Sequence, residues 1–97
     1  MSLTVTLDIH LQADAVATAP VMMREILTQT RAFEGCLGVE VLVDQDDPAH
    51  VIFIERWESL ETDAAYRIWR AGDGATELGT IVDRAPVLLR FDTATDI

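Results

Sequence analysis

Basic side chains are scarce in this sequence of 97 residues: Lys and Arg together number 7 against 17 Asp and Glu, and the formal charge is −10. Such a surface repels phosphate backbones and anionic lipid, so no nucleic acid and no membrane is expected as a partner. Cysteine is nearly absent. The single Cys36 cannot close an internal disulfide and stands in no Cys-x-x-Cys or Cys/His ligand spacing, which fits a reducing, cytoplasmic setting and gives no metal site. No apolar run approaches the roughly 18 residues that cross a bilayer, and the start Met1-Ser2-Leu3-Thr4-Val5 lacks the basic region and apolar core of an export signal. Solenoid repeats and low-complexity segments are missing too.

What the chain does have is apolar residues, 49% of the total. That is enough for one core in a single domain spanning 1–97, with the core at about 3–92 and 93–97 as a loose tail. A chain this short leaves much of its surface exposed, so further burial through oligomerisation is expected.

Thr4 to Leu11 alternates, with Val5, Leu7, Ile9 and Leu11 on one side and Thr4, Thr6, Asp8 and His10 on the other, the pattern of a half-buried strand. Pro20 suits the first turn of a helix whose Val21, Met22, Glu25, Ile26, Leu27 and Thr30 recur at helical spacing, and Gly35 supplies a left-handed stop. A second strand from Cys36 to Asp44 carries Leu37, Val39, Val41 and Val43 on one side. The segment Gln45 to Ala49 reads as a hairpin loop and His50 to Trp57 as a third strand. Ser59 is a candidate N-cap, with Thr62 where a capping box would have Glu, for a helix from about Leu60 to Ala71. On that helix Asp63, Arg67 and Arg70 share a narrow polar side, and Leu60, Ala64, Ala65, Ile68 and Ala71 form a wide apolar arc flanked by Tyr66 and Trp69. Ala75 to Asp83 is expected to form a short further helix and Pro86 to Asp92 a last strand.

The order β-α-β-β-α-β folds, by antiparallel pairing and right-handed crossovers, into an α+β, ferredoxin-like plan: a four-stranded antiparallel sheet with both helices on one face. Two helices leave the other face bare and apolar. A second copy of the sheet is its simplest cover, so a homodimer through the sheet face is expected.

Phe33-Glu34-Gly35-Cys36-Leu37-Gly38, the Asp47-Pro48 hairpin and the strand end Glu55-Arg56-Trp57-Glu58-Ser59, on this topology, resemble the antibiotic biosynthesis monooxygenase family. The resemblance implies a dimeric α+β barrel. It also implies a cofactor-independent monooxygenase that oxidises a small aromatic, phenolic or quinol compound with O2, with the ring held between sheet and helices. Trp57 and Tyr66 match the family's aromatic residue at the end of the third strand and its tyrosine on the following helix. By the same register Phe53, Leu42 and Gly79 stand where relatives that oxidise polyketides carry asparagine, histidine and arginine, which makes Phe53 and Leu42 candidate substrate contacts. The haem-degrading branch has a tryptophan at the place of Trp69, but its iron-ligating histidine would fall beyond His50, where this chain has none.

The candidate catalytic residues are therefore Tyr66, Trp57 and His10, the last because Asp8-x-His10 can orient an imidazole as a base. Trp69, Phe53 and Leu42 are the candidate substrate-binding residues; no cofactor is called for. Glu55 or Glu40 is expected to pair with Arg90 or His10, Cys36 to be a small buried hydrophobe, and His50 to be solvated. Two other classes stay open: a non-catalytic homodimeric module that binds a small ligand, and a ferredoxin-like isomerase or cyclase.

Overall fold

The computed structural model describes residues 2–97. Strand β1 (Leu3–His10) leads through a 3-10 turn (Ala13–Ala15) to α1 (Ala19–Ala32), with β2 (Cys36–Asp44) and β3 (Asp47–Trp57) following as a hairpin. Helix α2 (Leu60–Ala71), a 3-10 turn (Leu78–Thr80) and β4 (Val87–Asp92) complete the chain. The strands form one antiparallel sheet in the order β2-β3-β1-β4, the ferredoxin-like arrangement.

Alternation decides the two faces. On the helix side lie Leu3, Val5, Leu7 and Ile9 of β1 beside Trp57, Glu55, Phe53 and Val51 of β3, their cross-strand partners. Val5, Ile9, Val51, Phe53 and Trp57 are among the most deeply buried residues; each large apolar chain so buried contributes about 1.5–3 kcal/mol. On the other side Leu42, Val87, Leu89 and Phe91 are 45 to 55% exposed, so the bare apolar face expected from the topology is present.

Three local departures have physical causes. The hairpin is tighter than the expected loop, because Asp44 and Asp47 already pair and only Gln45 and Asp46 turn. Strand β2 carries an irregularity between Cys36 and Gly38, which leaves Leu37 out of the apolar row and 57% exposed. No helix fills 75–83 beyond one 3-10 turn, since this stretch folds back on the end of β1: Gln12 N–H donates to Ile81 O at 2.8 Å, Asp83 N–H to His10 O at 2.9 Å, and Leu11 bridges Val82.

Gly35 does take a positive φ, +88°. A side chain there would also strike Thr62, whose Cβ lies 2.4 Å from where the added carbon would sit. That close approach packs the start of α2 against the end of α1. Ser59 and Thr62 close the capping box with threonine in place of glutamate, Thr62 N–H donating to Ser59 Oγ and Ser59 N–H to Thr62 Oγ1, both at 3.2 Å.

Helix α2 is turned the opposite way from its amphipathic pattern. Asp63 is wholly buried and Tyr66 nearly so, Arg67 and Arg70 are half-buried, and the apolar arc looks outward, with Leu60 57% and Ile68 75% exposed. The side that the sequence marks as polar is the side that meets the sheet.

A cavity walled by an inward polar helix face

The reason for this inversion is a chain of ion pairs. Glu55, in the apolar row of β3 and 2% exposed, accepts at Oε1 from Trp57 Nε1 at 3.0 Å and from Arg67 Nη2. Arg67 Nε donates to Asp63 Oδ1 at 3.0 Å, and Arg90 Nε on β4 donates to Asp63 Oδ2 at 2.7 Å. Two buried carboxylates thus share two guanidiniums, which offsets a desolvation penalty that neither acid could bear alone. The expected pairing of Glu55 with Arg90 is corrected on this point: Arg90 serves Asp63, while Glu40 faces the open side and approaches Arg56 at 3.8 Å.

One turn further along α2, Arg70 engages all five of its N–H groups. Nε donates to the Tyr66 hydroxyl at 2.7 Å, Nη1 to Gln29 Oε1 and Gly74 O, and Nη2 to Ile26 O and Thr30 Oγ1. The proton of Thr30 goes to Ile26 O at 3.1 Å, so across the 2.7 Å contact between Thr30 and Tyr66 the tyrosine donates. One lone pair on the Tyr66 oxygen then remains for a donor from outside. Behind the ring stand Trp57 at 4.9 Å and Phe33 at 5.2 Å between centroids, and Trp69 packs under the Arg70 guanidinium at 4.6 Å. Gly74 lets the loop backbone lie against Trp69, where any side chain would collide with the indole.

These groups wall a cavity of about 150 Å³ between β3, α1 and α2, whose lining includes Leu7, Leu27, Thr30, Phe53, Glu55, Tyr66, Arg67, Arg70 and Leu78. Of the two acceptor atoms of Glu55, Oε2 has no hydrogen-bond partner among the described residues. A groove of about 330 Å³ shares Ile26 and Thr76 with the cavity and opens outward between α1 and the 75–77 loop.

The sequence candidates divide accordingly. Tyr66 and Phe53 line the cavity. Trp57 is fully buried and backs the cavity through its bond to Glu55 and its packing on Tyr66, and Trp69, beside Tyr66 and under Arg70, is not among the lining residues. His10 and Leu42 are not brought to this cavity: strand alternation puts both on the open face, where they pair with His50 and Ile52 respectively, across the sheet from Tyr66. His50 is corrected. It is half-buried, and its bond to Asp44 above all, joined by the bond to Asp8, pushes its pKa up from the ordinary imidazole value against the opposing effect of burial. Cys36 is half-buried, its thiol pushed up chiefly by desolvation. Glu55, Arg67, Arg70 and Thr30 are the wall residues that pattern reading passed over. The signal for Glu55 was its place in the row Val51, Phe53, Glu55, Trp57, a lone carboxylate at a core position.

The antibiotic biosynthesis monooxygenase model matches residues 2–78, and the chain belongs to that family. A crystal structure of an antibiotic biosynthesis monooxygenase is similar over 95% of this chain and 98% of its own, with TM-score 0.78 and 27% identity. Rv0793 from Mycobacterium tuberculosis aligns over 99% and 98% of the two chains with TM-score 0.77 and 18% identity. A conserved protein from Methanosarcina mazei Go1 aligns over 97% and 94% with TM-score 0.83 and 12% identity; these last two likenesses are of fold alone. No curated protein sequence matches the chain significantly. No helix among the described residues is long and apolar enough to cross a membrane.

Because Asp63 is fully buried between two arginines, Asp63→Ala is expected to destabilise the fold by about 3 kcal/mol in urea denaturation. Arg90→Ala, which removes a half-exposed partner and leaves Asp63 with Arg67, is expected to lower stability by only about 1 kcal/mol. Equal losses for the two variants would contradict the inward clamp.

Proposed function

We propose that this chain is a cofactor-independent monooxygenase acting on a single-ring phenol or quinol, with O2 as the oxidant. The observation that carries this reading is the cavity: space for about one six-membered ring, with a carboxylate, a guanidinium and the chain's only tyrosine on its wall. A phenolic O–H is positioned to pass its proton to Oε2 of Glu55, and Arg67 meets the charge that develops on the phenolate oxygen. Tyr66, whose own proton is engaged by Thr30, accepts a second hydroxyl and fixes the ring's orientation. Phe53 and Leu7 supply apolar contact.

The phenolate ring is itself the reductant. A C–O bond forms between a ring carbon bearing hydrogen and O2, and the hydroperoxide then loses water to leave a quinone carbonyl, one oxygen atom in the product and the other in water. The protein contributes positioning, proton removal and exclusion of bulk solvent. Trp57 acts through Glu55, by holding Oε1 and leaving Oε2 to the substrate. His10 has no part in this reading, since it stands on the opposite face.

A second reading has its own support. The Tyr66 proton and all five donors of Arg70 are engaged within the protein, as they would be in a module that binds a small ring without turning it over. Membership of the family supports a monooxygenase-like role in general, and this chain's own chemistry separates the two readings.

We also propose that the chain is a homodimer joined through the open sheet face, as its exposed Leu42, Val87, Leu89 and Phe91 favour.

Oxygen uptake by the purified protein with a panel of monocyclic phenols and hydroquinones is the direct test. Turnover is expected, with kcat falling about 100-fold or more in Glu55→Gln and about tenfold in Tyr66→Phe. Saturable binding without oxygen consumption across the whole panel would favour the binding module. For the dimer, light scattering at micromolar concentration is expected to give twice the 10.7 kDa chain mass, and Leu89→Asp to give the single-chain mass; a monomeric wild type would refute it.

A further inference from the structure

On the open face, across the sheet from the cavity, three ligand-bearing side chains meet at the end of β1. Asp8 and His10 are two apart and share that face by alternation, and His50 on β3 is the direct cross-strand partner of His10. Each offers one ligand atom, and the three atoms lie within 4.8 Å of one another. Asp8 Oδ1 is 2.9 Å from His50 Nε2 and 3.2 Å from His10 Nε2. All three side chains are half-buried, at 38%, 23% and 30% exposure.

The outer contact points the same way. His50 Nδ1 lies 2.8 Å from Asp44 Oδ2; Asp44 can keep the Nδ1–H while an ion takes the place of the proton between Nε2 and Asp8 Oδ1. A carboxylate on the second nitrogen is also the usual companion of a metal-bound histidine, since it fixes the ring and makes its free nitrogen a better donor. With metal–ligand bonds of about 2.0–2.2 Å in a tetrahedron, neighbouring ligand atoms are about 3.3–3.6 Å apart, so the 2.9 and 3.2 Å spacings open by a few tenths of an ångström to admit an ion. The imidazole rings stack at 4.4 Å and 7°. They need only splay at their Nε2 ends to converge on one ion.

We propose that Asp8, His10 and His50 form a binding site for one divalent first-row transition-metal ion, with Asp44 as the residue that orients His50. Two imidazoles and one carboxylate make a borderline donor set that suits zinc and its neighbours better than magnesium or calcium. Asp8 is flanked across the sheet by Val87 and Ile52, so the site borders the proposed dimer seam, and water or a group of the second copy completes the coordination. The chain's charge of −10 raises the local cation concentration around the site. The ion ties the end of β1 to the start of β3, and it is independent of the oxidation chemistry, from which the thickness of the sheet separates it.

Chelator-treated protein titrated with zinc chloride in a calorimeter provides the test, with thermal melting alongside. The expected result is one saturable site per chain at micromolar affinity, a melting temperature that rises with zinc, and no competition from millimolar magnesium. Affinity is expected to fall about 100-fold in His50→Ala and in His10→Ala. Asp44→Asn, which leaves every ligand in place, is expected to weaken binding about tenfold. Absence of saturable binding by the wild type up to 100 µM zinc overturns the proposal, whatever the variants do. So does zinc binding that survives the double variant His10→Ala/His50→Ala, or that magnesium displaces, either of which would mark diffuse attraction to the acidic surface.

Discussion

The burial of Asp63 between Arg67 and Arg90 is the constraint on which the rest of this structure turns. An ionised carboxylate with no water around it needs cations at hydrogen-bond distance, and here one comes from its own helix and one from β4. Those contacts exist only if α2 presents Asp63 to the sheet. The same rotation leaves Ile68 75% exposed, a loss of apolar burial that hydrophobic packing alone would not choose. Charge pairing sets the angle of the helix, and apolar contact fills in around it.

Once α2 is held at that angle, the remaining features follow in sequence. Tyr66, three residues on from Asp63, is carried inward against Trp57 and Phe33. Arg67 reaches Glu55, and Arg70 arrives at the C-terminal half of α1, where it joins Ile26, Thr30 and Gln29 to Tyr66 and the Gly74 backbone. The cavity is the space that this polar scaffold keeps open: Leu7, Leu27, Phe53 and Leu78 line it, but the arginines and Glu55 prevent its collapse into ordinary core. An apolar α2 face packed against the sheet would close it.

Much of the fold was legible from pattern. Strand β1 alternates over its whole length, α2 begins and ends where Ser59 and the glycines indicate, and the four-stranded sheet follows from element order. The site was less legible, and for a definite reason. Amphipathic reading scores each side chain by its own preference for water, so Asp63, Arg67 and Arg70 count as a solvent face, whereas their burial depends on partners supplied by β3 and β4. Glu55 and Arg90 stand on strands, 12 residues before Arg67 and 27 after Asp63, and helical periodicity cannot pair them with α2. The same limitation hid the setting of His50, whose partners Asp8 and Asp44 come from two other strands. Phe53 and Tyr66 could be placed because a β-strand row and a helix flank are local properties. Leu42 and His10 were grouped with them although the same alternation sends both to the opposite face.

Two side-chain N–H groups, one of Trp57 and one of Arg70, offer the most direct check on whether the working site lies between β3 and α2. In a proton–nitrogen correlation spectrum titrated with a monocyclic hydroquinone under anaerobic conditions, the Trp57 Nε1–H signal, bonded to Glu55 Oε1, and the Arg70 Nε–H signal, bonded to Tyr66, are expected to shift together and saturate. Backbone signals of Thr6, His10 and Leu42 are expected to stay in place. Shifts confined to those open-face residues, with the Trp57 and Arg70 signals unmoved at saturation, would contradict the account.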